Sequence, residues 1–210
     1  AGKQAGYPES EDICGYRQEG FATLDRSTFN GERSSTATAF LAPIRGRRNL
    51  TVITKALVTK IEIEDGAATG VTFVDAGGTF ATARARREVI LSAGAVGSPH
   101  LLMLSGVGPA AHLSANGVEV KANLPGVGQN LNDHPDFVLK YKCLQPVSIW
   151  PQTKLLGRAF AGIQWLINRT GVCASNQFDI VACLRSSAGV EYPDIQLTIS
   201  PVAVDDESWS

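Results

Sequence analysis

The sequence predicts an α+β chain in two parts. A small β-meander feeds a strand–turn–helix, and after residue 134 the chain passes into part of an antiparallel sheet. Three observations predict this. Thr59-Lys60-Ile61-Glu62-Ile63-Glu64 places charges on every second position, the period of a strand with one wet face. Val89-Ile90-Leu91 is a short apolar run, followed by the almost bulk-free Ser92-Ala93-Gly94-Ala95 and then by Leu101, Leu102 and Leu104. Finally, Leu155, Leu156, Phe160, Ile163 and Ile167 recur at helical spacing, with strand-like runs after them.

In chain order, residues 1–32 are polar and Gly-rich and read as a largely irregular segment lying against something else. Arg33 to Leu41 reads as a short helix, capped by Ser34 or Ser35 and ended with the help of Pro43. Leu50 to Thr54, Val58 to Glu64, Val71 to Val74 and Phe80 to Ala85 read as strands. Glu64-Asp65-Gly66 and Ala76-Gly77-Gly78 supply turns between them. Val89 to Leu91 reads as a buried strand, and Ser98 with Pro99 as the cap and first residue of the helix that follows. Ser105-Gly106-Val107-Gly108-Pro109 stops that helix.

A second short helix runs from Pro109 towards Asn116-Gly117, and a strand from Val118 to Ala122. Leu124 to Pro135, dense in Gly, Pro and Asn, reads as an ordered loop; its Gly126-Val127-Gly128 opens no helix, so it is no dinucleotide fingerprint. Phe137 to Lys142 reads as a strand, Leu155 to Asn168 as a helix with Gly171 beyond its end, and Phe178 to Leu184 and Ile195 to Val202 as strands. Nothing after them closes the second part, which reads as incomplete.

Composition excludes several classes. A formal net charge of −1 over 210 residues leaves no basic footprint for nucleic acid. No apolar run approaches the roughly 18–20 residues of a transmembrane helix. The first residues have neither a starting Met nor the apolar core of a signal peptide, so the chain reads as a piece of a longer protein. Cys14, Cys143, Cys173 and Cys183 are scattered without metal-ligand spacing, which favours free buried thiols in a reducing compartment and no metal. The expected location is cytoplasmic, with peripheral attachment at the inner face of a membrane as the variant of it.

The stretch Gly94-Ala95-Val96-Gly97-Ser98-Pro99, with Leu102 and Ser105-Gly106-Val107-Gly108 after it, resembles the second signature of the glucose–methanol–choline family of FAD-dependent oxidoreductases. Arg47-Arg48-Asn49-Leu50-Thr51-Val52 and the run Leu124 to His134 are similar to recurring segments on either side of it. Gly2 to Pro8, Gln145-Pro146-Val147-Ser148 and Gly171 to Phe178 resemble the branch that oxidises choline-like cations. On this resemblance, 1–134 is part of an FAD-binding α/β domain and 135–210 part of a substrate-binding domain.

The resemblance also implies a chemistry. A small alcohol, choline, would pass hydride to flavin N5 on its way to betaine aldehyde and glycine betaine, with the electron acceptor left open. The backbone of Val58 would meet the adenine, and Ser92, Ala93 and Gly94 would line the cofactor. Asp179 would hold the trimethylammonium group, where that branch has Glu; Thr198 stands where it has His. The family's catalytic His and its His/Asn partner are expected downstream of Ser210, and its Gly-rich fingerprint upstream of Ala1. His100, His112 and His134 do not fill the catalytic role by position, and the 210 residues alone are expected to be inactive. Two alternatives stand beside this reading: a family member for another alcohol, with Asp179 structural, and a non-catalytic binding module that retains the fold.

Overall fold

The computed structural model describes residues 2–202. The order of elements begins with strands β1 (Gly20–Thr23), β2 (Thr28–Phe29) and β3 (Glu32–Arg33), then β4 (Leu57–Glu64), β5 (Ala67–Val74) and β6 (Phe80–Arg84). Helix α1 (Gly94–Leu104), β7 (Val107–Gly108), α2 (Ala110–Ala115) and β8 (Ala122–Asn123) follow, then α3 (Leu155–Asn168), β9 (Ile180–Leu184) and β10 (Ile195–Thr198). By contacts the chain forms two units, one of Arg48–Phe137 and one of the described residues up to Arg47 and from Val138 on. Among the described residues, no helix is long and apolar enough to cross a membrane.

The first unit is built on the antiparallel meander β4–β5–β6. Ile61 is the buried residue of β4, and its neighbours Thr59, Lys60, Glu62 and Ile63 are all half-buried, so the strict alternation expected from the sequence is not seen. β4 is an edge strand, and an edge exposes unpaired N–H and C=O groups. Two side chains cover them. The buried Ser105 hydroxyl accepts the Ile61 N–H at 2.8 Å and donates to the Leu101 carbonyl at 2.6 Å. Lys121 Nζ donates to the Ile63 carbonyl at 2.8 Å. Ser105 thus ends α1 and fastens it to β4, and Leu101, Val107 and Leu113 are buried in the same unit. β7 and β8 pair in parallel, and Asn123 Oδ1 accepts the Ala110 N–H at the start of α2.

The second unit is organised on the antiparallel sheet β1–β9–β10, with Ala22, Val181, Ala182 and Leu184 buried. The Trp165 indole N–H of α3 donates to the Gly31 carbonyl at 2.7 Å, in the β2–β3 hairpin. Arg169 lies over the Trp165 ring at 4.1 Å and pairs with Glu32 at 2.7 Å.

Several elements differ from expectation. Residues 1–32 are not wholly irregular: they contribute β1, a short strand whose partner lies far along the chain. The helix expected from Arg33 is a π-helical turn at Ala37–Leu41 running into a 3-10 turn at Ala42–Ile44, so Pro43 lies inside it. Ser35 is the residue that meets it, its Oγ accepting the Thr38 N–H. Leu50 to Thr54, Val89 to Leu91 and Phe137 to Lys142 form no strand; Ile90 is 78% and Phe137 87% exposed. Apolar sequence makes a strand only where a ladder partner is present, and no described strand pairs with these three.

The strand expected at Val118 to Ala122 shrinks to β8, and β9 and β10 are shorter than read. Arg169, at φ +55°, takes the C-cap of α3 ahead of Gly171. The expectation of buried thiols also fails: Cys14, Cys143 and Cys173 are exposed and Cys183 half-buried, all four free. The tail 203–210, read as lacking a closing element, lies outside the described residues.

Candidate functional site

Helix α1 begins at Gly94, four residues earlier than the expected Ser98 cap. Gly94 takes φ +84°, a conformation that strains any residue with a Cβ, and a Cβ there would meet no atom within 4 Å. Ser98 instead sits inside the first turns, its Oγ accepting the Ala93 N–H at 3.0 Å, so it folds the entry into the helix back on itself. Pro99 follows within the helix. No acidic side chain and no side-chain cap stand over this N-terminus, and Ser92, Ala93 and Gly94 are exposed. The result is a bare main-chain turn at the positive end of a helix dipole, which suits an electron-rich ligand.

Val58 lies in the same unit, at the start of β4. Pairing passes from Val58↔Phe73 to Lys60↔Thr72, so a β-bulge follows Val58 directly. Bulges bend a strand and re-aim its groups. The Thr59 hydroxyl spans the irregularity by donating to the Thr72 carbonyl at 3.2 Å. Further along β4, the Thr72 hydroxyl donates to Glu62 at 2.7 Å, and this bond, ahead of Lys60 and Lys121, holds the Glu62 carboxyl below its ordinary pKa.

Asp179 belongs to the other unit and does not sit within the strand, as alternation implied, but one residue before β9. Its carbonyl accepts the Leu24 N–H at 3.0 Å, which continues the β1–β9 pairing. Its carboxylate is paired with Arg26 at 2.5 Å, and Ser175 Oγ, 2.7 Å from the same guanidinium nitrogen, donates to it at 3.3 Å. Asp179 is 56% and Arg26 35% exposed in their side chains, so the pair is wet and open to a ligand.

The turn that presents Asp179 is tied down by Gln177, at φ +68°. Its N–H donates to Ser175 Oγ and its side-chain amide to the Val172 carbonyl. Left-handed non-glycine residues persist where surroundings over-determine them. Arg26 was not singled out from the sequence, and nothing in it could have done so, since the two partners are 153 residues apart. The Ser175-x-Gln177 turn was open to notice as a Ser-initiated turn. His100, His112 and His134 are all exposed, and no group of His, Cys, Asp and Glu able to hold a metal occurs among the described residues.

Comparison with known proteins now places the chain. Residues 1–136 match the model of the GMC oxidoreductase family, and the chain belongs to that family. It is 46% identical to the oxygen-dependent choline dehydrogenase of Brucella canis over 204 residues, which is 97% of this chain and 37% of that protein. The chain thus spans little more than a third of the curated relative's length. Among solved structures it is similar to a formate oxidase, with a TM-score of 0.72 at 28% identity over 88% of this chain and 32% of that one. It is also similar to an FAD-dependent oxidoreductase from Chaetomium thermophilum, with a TM-score of 0.73 at 26% identity over 87% and 33%.

Proposed function

We propose that this chain is part of an FAD-dependent alcohol oxidoreductase that oxidises choline to betaine aldehyde, in the direction of glycine betaine. The observation that carries the reading is the 46% identity to a choline dehydrogenase, sustained over 97% of the chain. The residues present fit the cofactor. The turn at Ser92, Ala93 and Gly94 is exposed and free of acidic side chains, and the open space at Gly94 admits a ligand against main chain.

FAD, when bound, supplies the acceptor for the hydride of the alcohol carbon. Ser92, Ala93 and Gly94 line it through their backbone, and the Val58 main chain, at its bulge, orients the adenine. Asp179 holds the substrate's trimethylammonium, which has no N–H to donate and is held by charge and by aromatic faces rather than by directed hydrogen bonds. Arg26 and Ser175 fix the rotamer of that carboxylate. We place cofactor-side sequence in 1–134 and substrate-side sequence in 135–210, with β1 the strand that the former lends to the latter's sheet. The complete protein is placed in the cytoplasm; among the described residues no helix is long and apolar enough to cross a membrane.

A second reading, an alcohol other than choline with Asp179 structural, is favoured by one observation: the carboxylate is already engaged by Arg26. The two separate on Asp179→Asn in the complete holoenzyme. Losing one partly desolvated charge contact is worth roughly 1.4 kcal/mol, so KM for choline should rise at least about tenfold. The neutral isostere 3,3-dimethylbutanol should be nearly indifferent. Equal effects on both substrates, or on neither, would assign Asp179 to structure.

A further inference from the structure

Arg26 reaches Asp179 from the connection that follows β1. The Leu24 N–H donates to the Asp179 carbonyl at 3.0 Å, which sets the exit of β1 beside the entry of β9. Two residues on, the Arg26 carbonyl accepts the Thr28 N–H at 2.8 Å, so the backbone carrying the guanidinium is held on both sides. Arg26 Nη1 donates to Asp179 Oδ1 at 2.5 Å and to Ser175 Oγ at 2.7 Å. Ser175 is fixed in turn, since its Oγ accepts the Gln177 N–H at 3.0 Å and donates to the same Oδ1 at 3.3 Å. All of these residues belong to one unit.

The two oxygens of the carboxylate are therefore unlike. Oδ1 takes both side-chain bonds, while Oδ2 has no partner among the described residues, in a side chain that is 56% exposed. Oδ2 is the oxygen left for a cation. A cation that meets it has the Arg26 charge on the neighbouring oxygen, inside the roughly 10 Å over which exposed charges are felt at 0.1 M salt. A quaternary ammonium has no N–H with which to replace the bond from Arg26 to Oδ1, so it joins the pair without displacing the guanidinium. Asp179 attracts it and Arg26 opposes it.

We propose that Arg26 is a specificity-determining residue of the cation subsite, its charge setting how weakly Asp179 holds the substrate's ammonium group. The proposal rests on the reading that Asp179 binds that group. The Arg26–Asp179 pair carries no net charge, so it separates a cationic alcohol from a neutral one of the same shape less than a lone carboxylate would. Without the Arg26 charge, Ser175 still donates to Oδ1 and keeps the carboxylate oriented. The cation should then bind more tightly, which is opposite in sign to the loss of a merely structural contact. The opposition acts on the bound cation before and during the reaction alike, so the effect falls on KM and spares kcat.

The test is steady-state kinetics of the complete holoenzyme with choline and with the neutral isostere 3,3-dimethylbutanol. Arg26→Gln, and Arg26→Ala as a second neutral variant, should lower KM for choline about three- to tenfold. Their kcat, and both constants for the isostere, should stay near the parent's. KM for choline should also rise with added salt more steeply than in the parent, because the subsite now carries a net charge that salt screens. Arg26→Lys, which keeps the charge, should match the parent. Asp179→Asn separates the two ways of failing. If it raises KM for choline selectively while the neutral Arg26 variants leave KM unchanged or raise it, the cation subsite stands and Arg26 only positions the carboxylate, which overturns this proposal alone. If Asp179→Asn moves neither substrate, or both alike, the Asp179 reading is wrong and this proposal falls with it.

Discussion

Ser105→Ala should be among the most damaging single changes in the Arg48–Phe137 unit. Ser105 is 1% exposed and its hydroxyl works twice, accepting the Ile61 N–H and donating to the Leu101 carbonyl. Without it, the Ile61 N–H at the edge of β4 is buried without a partner, because Ile61 is itself 4% exposed. An unsatisfied buried donor costs about 1–3 kcal/mol, while the Leu101 carbonyl keeps the Ser105 backbone N–H as a partner and adds little. For a chain of this size each kcal/mol lowers Tm by about 2–4 °C. Urea and thermal unfolding followed by far-UV circular dichroism should show the loss, and amide exchange at Ile61 should accelerate before that of β6. The exposed Ser114→Ala serves as control. If Ser105→Ala stays within about 0.5 kcal/mol of the parent, the helix-to-strand tie is not what secures α1.

Two further outcomes follow from the geometry. In the complete protein, Gly94→Ala and Gly94→Val should lose flavin occupancy by more than they lose secondary structure. The left-handed conformation costs either side chain about 1–2 kcal/mol, although neither Cβ meets a neighbour; full retention of flavin by both would place the cofactor elsewhere. Asp194 accepts the Ser186 hydroxyl and N–H at 2.6 and 2.7 Å, and these bonds, the hydroxyl's first, hold its carboxyl below the ordinary value. A depressed carboxylate contributes stability that is present above its unfolded pKa and lost as pH falls through the lower folded one. The Ser186 amide should therefore lose exchange protection on acidification in that window, and Asp194→Asn should flatten the dependence. An identical acid profile in both proteins would refute the assignment.

Local pattern carried far in some places and nowhere in others. The alternation in Thr59 to Glu64 was enough to find β4, and the apolar spacing of Leu155 to Ile167 enough to find α3 at both ends. Both signals are internal to their element. β1 escaped notice because Gly20-Phe21-Ala22-Thr23 is short and opens on glycine, and what makes it a strand is β9, some 160 residues away. Val89 to Leu91 and Phe137 to Lys142 mislead in the opposite direction: their composition suits a strand, but no described strand pairs with them. At the candidate site, the bare turn at Gly94 was legible from its lack of bulk, whereas the true start of α1 was hidden because Ser98 turns its hydroxyl back to Ala93. Asp179 stood out as a lone acid among apolar residues. Its partner Arg26 could not, since nothing in a sequence pairs two charges across most of the chain.

The most direct measurement of the central claim is an anaerobic half-reaction. The complete protein, purified with its flavin oxidised, is mixed with choline in the absence of any electron acceptor while the flavin absorbance is followed. The account predicts stoichiometric bleaching with betaine aldehyde formed in equal amount, slowed when the hydrogens on the alcohol carbon are replaced by deuterium. A flavin that stays oxidised with choline but is reduced by another alcohol would contradict the choline assignment. Purification of the complete protein without flavin, and with no flavin taken up on addition, would contradict the oxidoreductase assignment itself.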